Sequence, residues 1–349
     1  MNSSTHIVIM AGGVGSRFWP MSTPEYPKQF VDVLGRGMSM IQMTVDRFAP
    51  LCPLENMWVV TSADYEGLVR EQLPQLPVEN ILLEPAMRNT APCIAYACWK
   101  IRMKDPSANV IVTPADALVT DVDEFRSVVT AALEFASEGR RIVTVGIRPT
   151  RPETGYGYIE KGESAGHPLI HKVGSFREKP EIDVARAYLA SGNYLWNAGI
   201  FIWNIDTIVD SLRAFAPDIS DKMDSMAEAF YTEDERSRVA EIFPECEKIS
   251  IDYAVMEKAD YIYTVPGDFG WSDVGTWGSL WALLRHDENG NAVVGANVHL
   301  NDCRGCIVHA PGASSVVLQG LQDSIVVERD GRLLVCQLKE EQRIKDFRK

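Results

Sequence analysis

The sequence predicts an α/β protein with a doubly wound, mostly parallel sheet and a small C-terminal β-domain. Up to about residue 150, short apolar runs alternate with longer helix-like segments, which is typical of a parallel sheet with helices on both faces. After residue 291, short strand-like runs follow one another at a spacing of about ten residues, which is typical of a small β-domain. We therefore predict two domains, over residues 1–286 and 287–349.

The strands and helices of the first part follow from apolar periodicity. The predicted buried strands are residues 6–10, 57–61, 80–83, 110–113 and 141–147, and the predicted helices are 91–104 and 122–137. Ligands of such sheets bind beyond the carboxyl ends of the strands. The loop after Met10 and the segment 114–116 both follow strands, so we expect them to lie close together.

The middle of the chain has a different pattern. Aromatic-rich runs predict antiparallel strands, which we interpret as a substrate-facing insertion on the same domain, and a helix-like stretch follows them. A turn-like Asp-Glu-Asn-Gly-Asn sequence at 287–291 then marks the predicted domain boundary. The predicted strands of the insertion are 155–161, 170–176 and 198–203, the helix-like stretch is 205–239, and the predicted C-terminal strands are 292–300, 305–309, 314–318, 324–328 and 333–337.

Composition excludes some classes of partner. The chain has 349 residues, of which 46% are hydrophobic and 23% are charged, as expected of a globular protein. The formal net charge of −14 argues against sequence-independent binding to nucleic acid or to an anionic membrane. Neither a signal peptide nor an apolar segment of membrane-spanning length is evident. We therefore expect a cytoplasmic location.

A glycine-rich loop follows the first predicted strand. Gly12, Gly13 and Gly15 allow an anion to approach the backbone closely, and Arg17 and Lys28 can supply fixed positive charge. The dinucleotide fingerprint requires a further glycine where this chain has phenylalanine, and the P-loop requires a Gly-Lys-Ser/Thr sequence that is absent. The loop therefore predicts a phosphate site of another kind.

Seven blocks carry a resemblance to a known family. The loop sequence Gly-Gly-Val-Gly-Ser-Arg, followed by Pro-Lys-Gln-Phe, resembles the nucleotide-sugar pyrophosphorylases, and the run Glu-Pro-Ala-Met-Arg-Asn-Thr-Ala-Pro resembles the mannose-1-phosphate guanylyltransferases in particular. The blocks are residues 12–17 with 27–30, 84–92, 114–116, 154–159, 176–180, 196–201 and 270–277. Through these separate blocks the resemblance spans the chain from residue 6 to about residue 285, and it extends more loosely to the C-terminal strands.

The resemblance implies a fold and an activity. The fold is a Rossmann-like nucleotidyltransferase domain with a short left-handed β-helix, which implies a homodimer. The activity is transfer of GMP from GTP to α-D-mannose 1-phosphate, which gives GDP-mannose and pyrophosphate by Mg²⁺-dependent in-line attack on the α-phosphorus. Two alternatives stay open: the same chemistry on another sugar 1-phosphate, such as a manno-heptose, and a catalytically silent regulatory subunit that binds nucleotide sugar.

The resemblance also implies catalytic and metal-binding residues. Arg17, Lys28 and Asp116 are the expected catalytic residues, and Asp116 and Asp273 are the expected ligands of Mg²⁺. Two carboxylates commonly hold this hard cation when substrate phosphates complete its shell. Charged groups are required because nucleotidyl transfer brings two anionic substrates together.

The substrate-binding residues are assigned in the same way. Lys179 is a suitable point charge for the 1-phosphate, and Glu178 can accept hydrogen bonds from vicinal hydroxyls. Asn197 offers both a donor and an acceptor, and Gly157 allows a sugar ring near the backbone. Thr90 also has the sequence context of a plain helix start. The expected nucleotide-binding residues are Ala11, Gly12, Gly13, Gly15, Glu84, Arg88, Asn89 and Thr90.

Overall fold

The computed structural model describes residues 4–347, which form two compact units. Unit 1 consists of the residues up to Gly12 together with Val45–Pro114 and Val119–Trp271. Unit 2 consists of Gly13–Thr44, Ala115–Leu118 and the residues from Ser272 onward. The predicted domain 287–349 lies within unit 2, together with the part of the glycine loop from Gly13 onward. The boundary at residue 286 stays a prediction.

The secondary structure contains many short elements. The strands are β1 (Thr5–Ala11), β2 (Met57–Ser62), β3 (Ile81–Glu84), β4 (Asn109–Pro114), β5 (Leu118–Val119), β6 (Ile142–Ile147), β7 (Gly157–His167), β8 (Ile170–Glu178), β9 (Tyr194–Asn204), β10 (Ile262–Gly267), β11 (Trp271–Ser272), β12 (Ala292–Val294), β13 (Val298–Asn301), β14 (Ile307–His309), β15 (Val316–Gln319), β16 (Ser324–Arg329) and β17 (Arg332–Gln337). The α-helices are α1 (Met40–Phe48), α2 (Glu66–Gln72), α3 (Thr90–Lys104), α4 (Val122–Ser137), α5 (Ile182–Ser191), α6 (Ile205–Phe215), α7 (Pro217–Ala227), α8 (Glu235–Ile242) and α9 (Trp277–Leu283). The 3₁₀ helices are Ser16–Phe18, Lys28–Phe30, Leu54–Asn56, Ala63–Tyr65, Val78–Asn80, Phe243–Glu245 and Leu338–Asp346, and a π-helix covers Asp252–Met256.

A mixed sheet forms the centre of unit 1. Its strand order is β3-β2-β1-β4-β9-β6-β10-β8-β7. The strands from β3 to β4 are parallel, whereas β9 runs antiparallel to both β4 and β6, and β7 and β8 are antiparallel to each other. The predicted parallel pairing is therefore correct for β3, β2, β1 and β4 and for β6 with β10, whereas every pairing of β7, β8 and β9 is antiparallel. The predicted insertion is part of the same sheet, because the apolar run of β9 is buried between two parallel segments.

The predicted elements of the first part are confirmed. Each of the five predicted strands and both predicted helices has its counterpart within two residues at either end. The long helix-like stretch 205–239 is instead three helices, α6, α7 and α8. The first break lies at Ala216–Pro217, because proline lacks a backbone N–H and can begin a helix more easily than continue one.

The strands of unit 2 pair in two small sheets. One has the order β12-β14-β16-β17 and is parallel except for β17, and the other is a parallel pair of β13 and β15. The predicted single strand 292–300 is two strands because its halves pair in different sheets. Parallel pairing of successive short strands supports a coiled β-domain. The left-handed β-helix stays a prediction.

Each unit has an apolar core. In unit 1, α3 is buried along most of its length within the main core cluster. In unit 2, Phe18 and Trp277 pack with their ring centroids 4.7 Å apart inside a second cluster. No helix within residues 4–347 has both the length and the apolar character needed to cross a bilayer.

Candidate active site

The predicted site residues are distributed over both units. Unit 1 contains the base-side and sugar-side residues Ala11, Gly12, Glu84, Arg88, Asn89, Thr90, Gly157, Glu178, Lys179 and Asn197. Unit 2 contains the charged and loop residues Gly13, Gly15, Arg17, Lys28, Asp116 and Asp273.

Lys28 connects three segments of unit 2. Its side chain is only 3% exposed, and its Nζ donates to the backbone carbonyl oxygens of Asp273 at 2.6 Å and of Val274 at 2.9 Å. The same nitrogen forms an ion pair with Oδ2 of Asp116 at 2.9 Å. An ammonium group has three protons, so three acceptors can use all of them. The structure thus brings Lys28, Asp116 and Asp273 together, as the sequence predicted for the loop and the segment 114–116.

Gly15 fits closely against Lys28. Its backbone is left-handed, with φ 70° and ψ 43°, and a Cβ at this position would lie 2.5 Å from Cβ of Lys28. Gly13 differs, because no described atom lies within 4 Å of the position where its Cβ would be. Gly15 is therefore required by packing, whereas Gly13 leaves open space. Arg17 lies exposed in the short helix Ser16–Phe18.

The two aspartates have donor atoms that suit a hard cation. The carboxylate of Asp116 is 43% exposed, and Oδ1 of Asp273 accepts a hydrogen bond from the backbone N–H of Gly275 at 3.1 Å. Val274, which follows Asp273, has φ 44°, which is rare for a β-branched residue and is found mainly at functional sites. Among the described residues no group of three or more His, Cys, Asp or Glu side chains could hold a metal. The pair fits Mg²⁺ if substrate oxygens supply further ligands.

Glu84 is a buried carboxyl at the end of β3. It is 8% exposed, and its Oε1 has no hydrogen-bond partner within residues 4–347. Burial raises the pKa of Glu84 to about 7. Its Oε2 lies 3.9 Å from the position where a Cβ on Gly12 would be. A buried acceptor without a partner costs free energy, which favours a role in which a ligand supplies the missing donor.

The residues after Glu84 hold the start of α3. Asn89 has φ 67°, and its Oδ1 accepts from the backbone N–H of Thr90 at 2.9 Å. Oγ1 of Thr90 accepts from the backbone N–H of Ile251 at 2.9 Å, and Nη2 of Arg88 donates to the carbonyl oxygen of Pro244. These contacts confirm the helix start. A contact with nucleotide stays a prediction for all three residues.

The sugar-side residues of unit 1 lie together around Gly157. A Cβ on Gly157 would lie 2.5 Å from Oε2 of Glu178 and 3.2 Å from Cβ of Asn197, so only glycine fits without a shift. Lys179 is 62% exposed, has φ 47° and pairs through Nζ with Oε1 of Glu178 at 2.5 Å. Burial opposes the charge of Lys179, but the hydrogen bond and the negative charge of Glu178 outweigh it and raise the pKa of Lys179.

Comparison with known proteins identifies the family. The family model for nucleotidyl transferases matches residues 6–290. The chain belongs to the nucleotidyl transferase family.

Individual relatives agree with this assignment. The mannose-1-phosphate guanylyltransferase of Escherichia coli (strain K12) is 39% identical in an alignment 342 residues long that covers 96% of this chain and 70% of that protein. The xanthan biosynthesis protein XanB of Xanthomonas campestris pv. campestris (strain B100) is 39% identical over 94% of this chain and 69% of its own length. The crystal structure of a mannose-1-phosphate geranyltransferase from Thermus thermophilus superposes with a TM-score of 0.89 at 32% identity, covering 99% of this chain and 98% of that one. The resemblance inferred from the seven blocks is confirmed.

Sequence reasoning missed two features of the sugar side. Asp252 lies at the start of the π-helix, where Ser-Ile-Asp-Tyr before an apolar run indicates only a helix start. Tyr156, Trp196 and Trp271 form an aromatic group, with ring centroids 5.2 Å and 5.5 Å from Tyr156 in edge-to-face arrangements. All three aromatic residues lie within the blocks that carry the family resemblance, but the sequence of a block does not indicate which side chains will be in contact.

Proposed function

We propose that this member of the family is a Mg²⁺-dependent enzyme that transfers GMP from GTP to α-D-mannose 1-phosphate. An oxygen of the sugar phosphate attacks the α-phosphorus in line, and the bond from that phosphorus to the oxygen bridging to the β-phosphate breaks. The products are GDP-mannose and pyrophosphate. The observation that carries the proposal is the agreement of almost the whole chain with mannose-1-phosphate guanylyltransferases.

The charged cluster of unit 2 is the proposed reaction centre. Asp116 and Asp273 would hold Mg²⁺, which neutralises and orients phosphate oxygens when bound. Lys28 keeps Asp116 next to the turn at Asp273 and places a buried positive charge there. Arg17 is exposed, and its guanidinium can stabilise the negative charge that develops on the departing pyrophosphate.

Glu84 is the proposed recognition group for guanine. Guanine presents the N1–H and N2–H₂ donors on one edge, and the two oxygens of a carboxylate can accept from both. Adenine has an acceptor at N1, so it would leave the buried carboxyl without a donor. Ala11 is the last residue of β1, and Gly12, which follows it, lies beside Glu84. A nucleotide bound along this backbone would therefore meet Glu84.

The residues around Gly157 are the proposed sugar-phosphate site. Lys179, which is exposed and carries a raised pKa, suits the 1-phosphate, and Glu178 suits ring hydroxyls. Asn197 has a narrower role than the sequence predicted. Its Oδ1 already accepts from Oγ1 of Thr144 and from the backbone N–H of Gly199, both at 3.1 Å. One of its two amide protons is donated to Asp252, so the other is what it can offer a sugar.

Assembly and location are part of the proposal. The outer strand β17 of the C-terminal sheet exposes Leu333 and Val335, which are 62% and 53% exposed. Exposed apolar side chains on an edge strand support a contact with a second copy of the chain, and we propose a homodimer through residues 287–349. The cytoplasmic location stays a prediction from the sequence.

Pyrophosphate release across the four common nucleoside triphosphates and a panel of sugar 1-phosphates tests the proposed function. We expect release with GTP and mannose 1-phosphate, and GDP-mannose as the product. Faster turnover of a manno-heptose 1-phosphate would favour the alternative substrate. Nucleotide-sugar binding without pyrophosphate release would favour the silent regulatory subunit.

A further inference from the structure

Asp252 follows a segment of unit 1 that is fixed to the start of α3. The backbone N–H of Ile251 donates to Oγ1 of Thr90 at 2.9 Å, and the backbone N–H of Ala91 donates to the carbonyl oxygen of Ile249 at 3.1 Å. These two bonds attach residues 249–251 to the start of α3. The next residue, Asp252, is partly buried and begins the π-helix. Its position is therefore set by backbone contacts rather than by a free loop.

Asp252 makes a specific contact with Asn197. Its Oδ1 accepts from Nδ2 of Asn197 at 3.1 Å. The other end of the same amide accepts from the hydroxyl of Thr144 and the backbone N–H of Gly199. Because two donors face Oδ1 and an acceptor faces Nδ2, the orientation of the amide is determined. The bond to Asp252 uses one of the two amide protons and one of the two carboxyl oxygens.

The charged groups around Asp252 belong to the sugar side. Burial raises the pKa of Asp252 to about 7, and the negative charge of Glu178 adds to this effect. Hydrogen bonds to the carboxyl from its own backbone N–H and from the side chain of Ser250 oppose it, as does the positive charge of Lys179. Glu178 and Asn197 in turn flank the open face of Gly157. Two carboxyl groups and an amide therefore lie close to the place proposed for a sugar ring. A ring with several hydroxyls needs such a set of acceptors and donors.

We infer that Asp252 is a further specificity-determining residue for the sugar, which orients the amide of Asn197 and accepts a hydrogen bond from a ring hydroxyl with its second carboxyl oxygen. The inference rests on the proposed function, because it places a sugar phosphate against Gly157. It adds a residue outside the seven blocks that carried the resemblance.

Three variants separate the two parts of this role. Asp252→Asn keeps the size of the side chain and an oxygen that can accept the hydrogen bond from Asn197. It removes the negative charge from the proposed contact with the ring hydroxyl. Asp252→Ala removes both contacts. Asp260→Asn is the matched control, since Asp260 is an exposed aspartate shortly after the same π-helix. Thermal unfolding of each variant establishes that it folds, and KM is then measured for sugar 1-phosphate and for GTP separately.

At pH 8, above the pKa of Asp252 of about 7, we expect Asp252→Asn to raise the KM for mannose 1-phosphate by about tenfold or more, the loss typical of a hydrogen bond to a charged group. Asp252→Ala should raise it further, and neither should change the KM for GTP appreciably. Mannose 1-phosphate analogues that each lack one hydroxyl give a second readout. One analogue should be impaired with the wild type and show no added penalty with Asp252→Ala, which identifies the hydroxyl.

An unchanged KM for sugar 1-phosphate in Asp252→Asn would overturn the inference, and so would an equal rise in both KM values. Failure of the proposed function gives a different result. A wild type that accepts another sugar 1-phosphate but not mannose 1-phosphate would overturn the proposed substrate, while the variant comparison is made on the sugar it accepts. A wild type that binds no sugar 1-phosphate in calorimetry would overturn both.

Discussion

Glu84 shows how a single residue can be poorly stabilised by its own fold. A carboxyl that is 8% exposed, with one oxygen lacking a partner among the described residues, cannot ionise as easily as it does in water. Its pKa of about 7 lies above the ordinary value of 4.5. Between pH 4.5 and about pH 7, Glu84 therefore keeps its proton in the folded protein and loses it in the unfolded chain.

The first prediction follows from this difference in proton binding. Because the native state binds the proton more tightly, the free energy of unfolding falls as pH rises from about 4.5 to about 7, by on the order of 3 kcal/mol for Glu84. Asp252 adds a fall of the same sign. Urea unfolding of Glu84→Gln at pH 5 and pH 8 should show a smaller fall than the wild type. The exposed control Glu71→Gln should match the wild type, and an equal fall in Glu84→Gln would contradict the prediction.

The second prediction distinguishes the two proposed metal ligands. Both Asp116→Asn and Asp273→Asn should reduce turnover at saturating Mg²⁺ by a factor of about a hundred or more. Only Asp116→Asn should also lower stability, by on the order of 1–2 kcal/mol, because its carboxylate balances the buried ammonium of Lys28 while Asp273 contributes a backbone carbonyl. Thermal unfolding and Mn²⁺ binding measure the two effects.

A control for this comparison is available in the same unit. Asp330→Asn changes an aspartate that is 77% exposed and paired with Arg329, and surface pairs of this kind contribute little. It should leave turnover, Mn²⁺ binding and stability unchanged. Near-normal turnover in both Asp116→Asn and Asp273→Asn would exclude the metal assignment.

At the scale of elements, the glycine loop has two different requirements. Gly15 must be glycine because its φ of 70° and its contact with Lys28 leave no room for a Cβ, whereas Gly13 faces open space within the described structure. The same residue type thus serves close packing at one position and leaves open space at the other, the space that we propose for a phosphate group. The sequence motif alone does not separate these roles.

The third prediction tests this separation with a matched pair. Gly15→Ala should destabilise the protein by about 2 kcal/mol or more, through left-handed strain and overlap with Lys28. Gly13→Ala should keep the melting temperature of the wild type and raise the KM for GTP, because its methyl group occupies space proposed for phosphate. Equal melting temperatures for the two variants would show that the loop relaxes around Gly15.

Other elements show why sequence patterns were sufficient in some places and insufficient in others. The strands before residue 150 have compact apolar runs with turn signals at their ends, and these patterns are local. The position of β9 between β4 and β6 is not local, since its pairing partners are about 50 to 90 residues away in sequence. No periodicity within residues 194–204 indicates which strands will flank it.

At the scale of the whole molecule, the proposed position of Glu84 beside the base determines which nucleoside triphosphate the enzyme uses. The fourth prediction is a preference for GTP over ATP of about a hundredfold or more in kcat/KM, since adenine leaves two buried contacts unmade at about 1–3 kcal/mol each. Glu84→Gln should reduce this preference by at least about tenfold, because its amide replaces one acceptor by a donor. Arg88, Asn89 and Thr90 hold the start of α3, so replacing them would test the fold more than the base.

The measurement is kcat/KM for GTP and ATP in the wild type, in Glu84→Gln and in the exposed control Glu71→Gln. The dependence on Mg²⁺ should be similar in all three proteins. Equal use of ATP and GTP by the wild type would contradict the proposed specificity for GTP, but it would not contradict the nucleotidyl transferase activity.

The sequence by itself determined the family and the reaction class, and it predicted the parts of the chain that carry the site. Phosphate chemistry requires glycine, cationic side chains and carboxylates in short runs, and such runs are visible without a structure. Local periodicity likewise determined the parallel strands β1 to β4 and the helices α3 and α4. These features depend on residues that are close together in the chain.

The tertiary structure decided what each of those residues contacts. Only the fold places the ammonium of Lys28 against Asp116 and the 273–274 turn, leaves Glu84 buried with one oxygen that lacks a described partner, and brings Asp252 to the amide of Asn197. Hydrogen bonds and desolvation depend on distances of a few ångströms between residues that are 55 to 246 positions apart in sequence. Such distances are set by packing of the whole unit, and no local pattern encodes them.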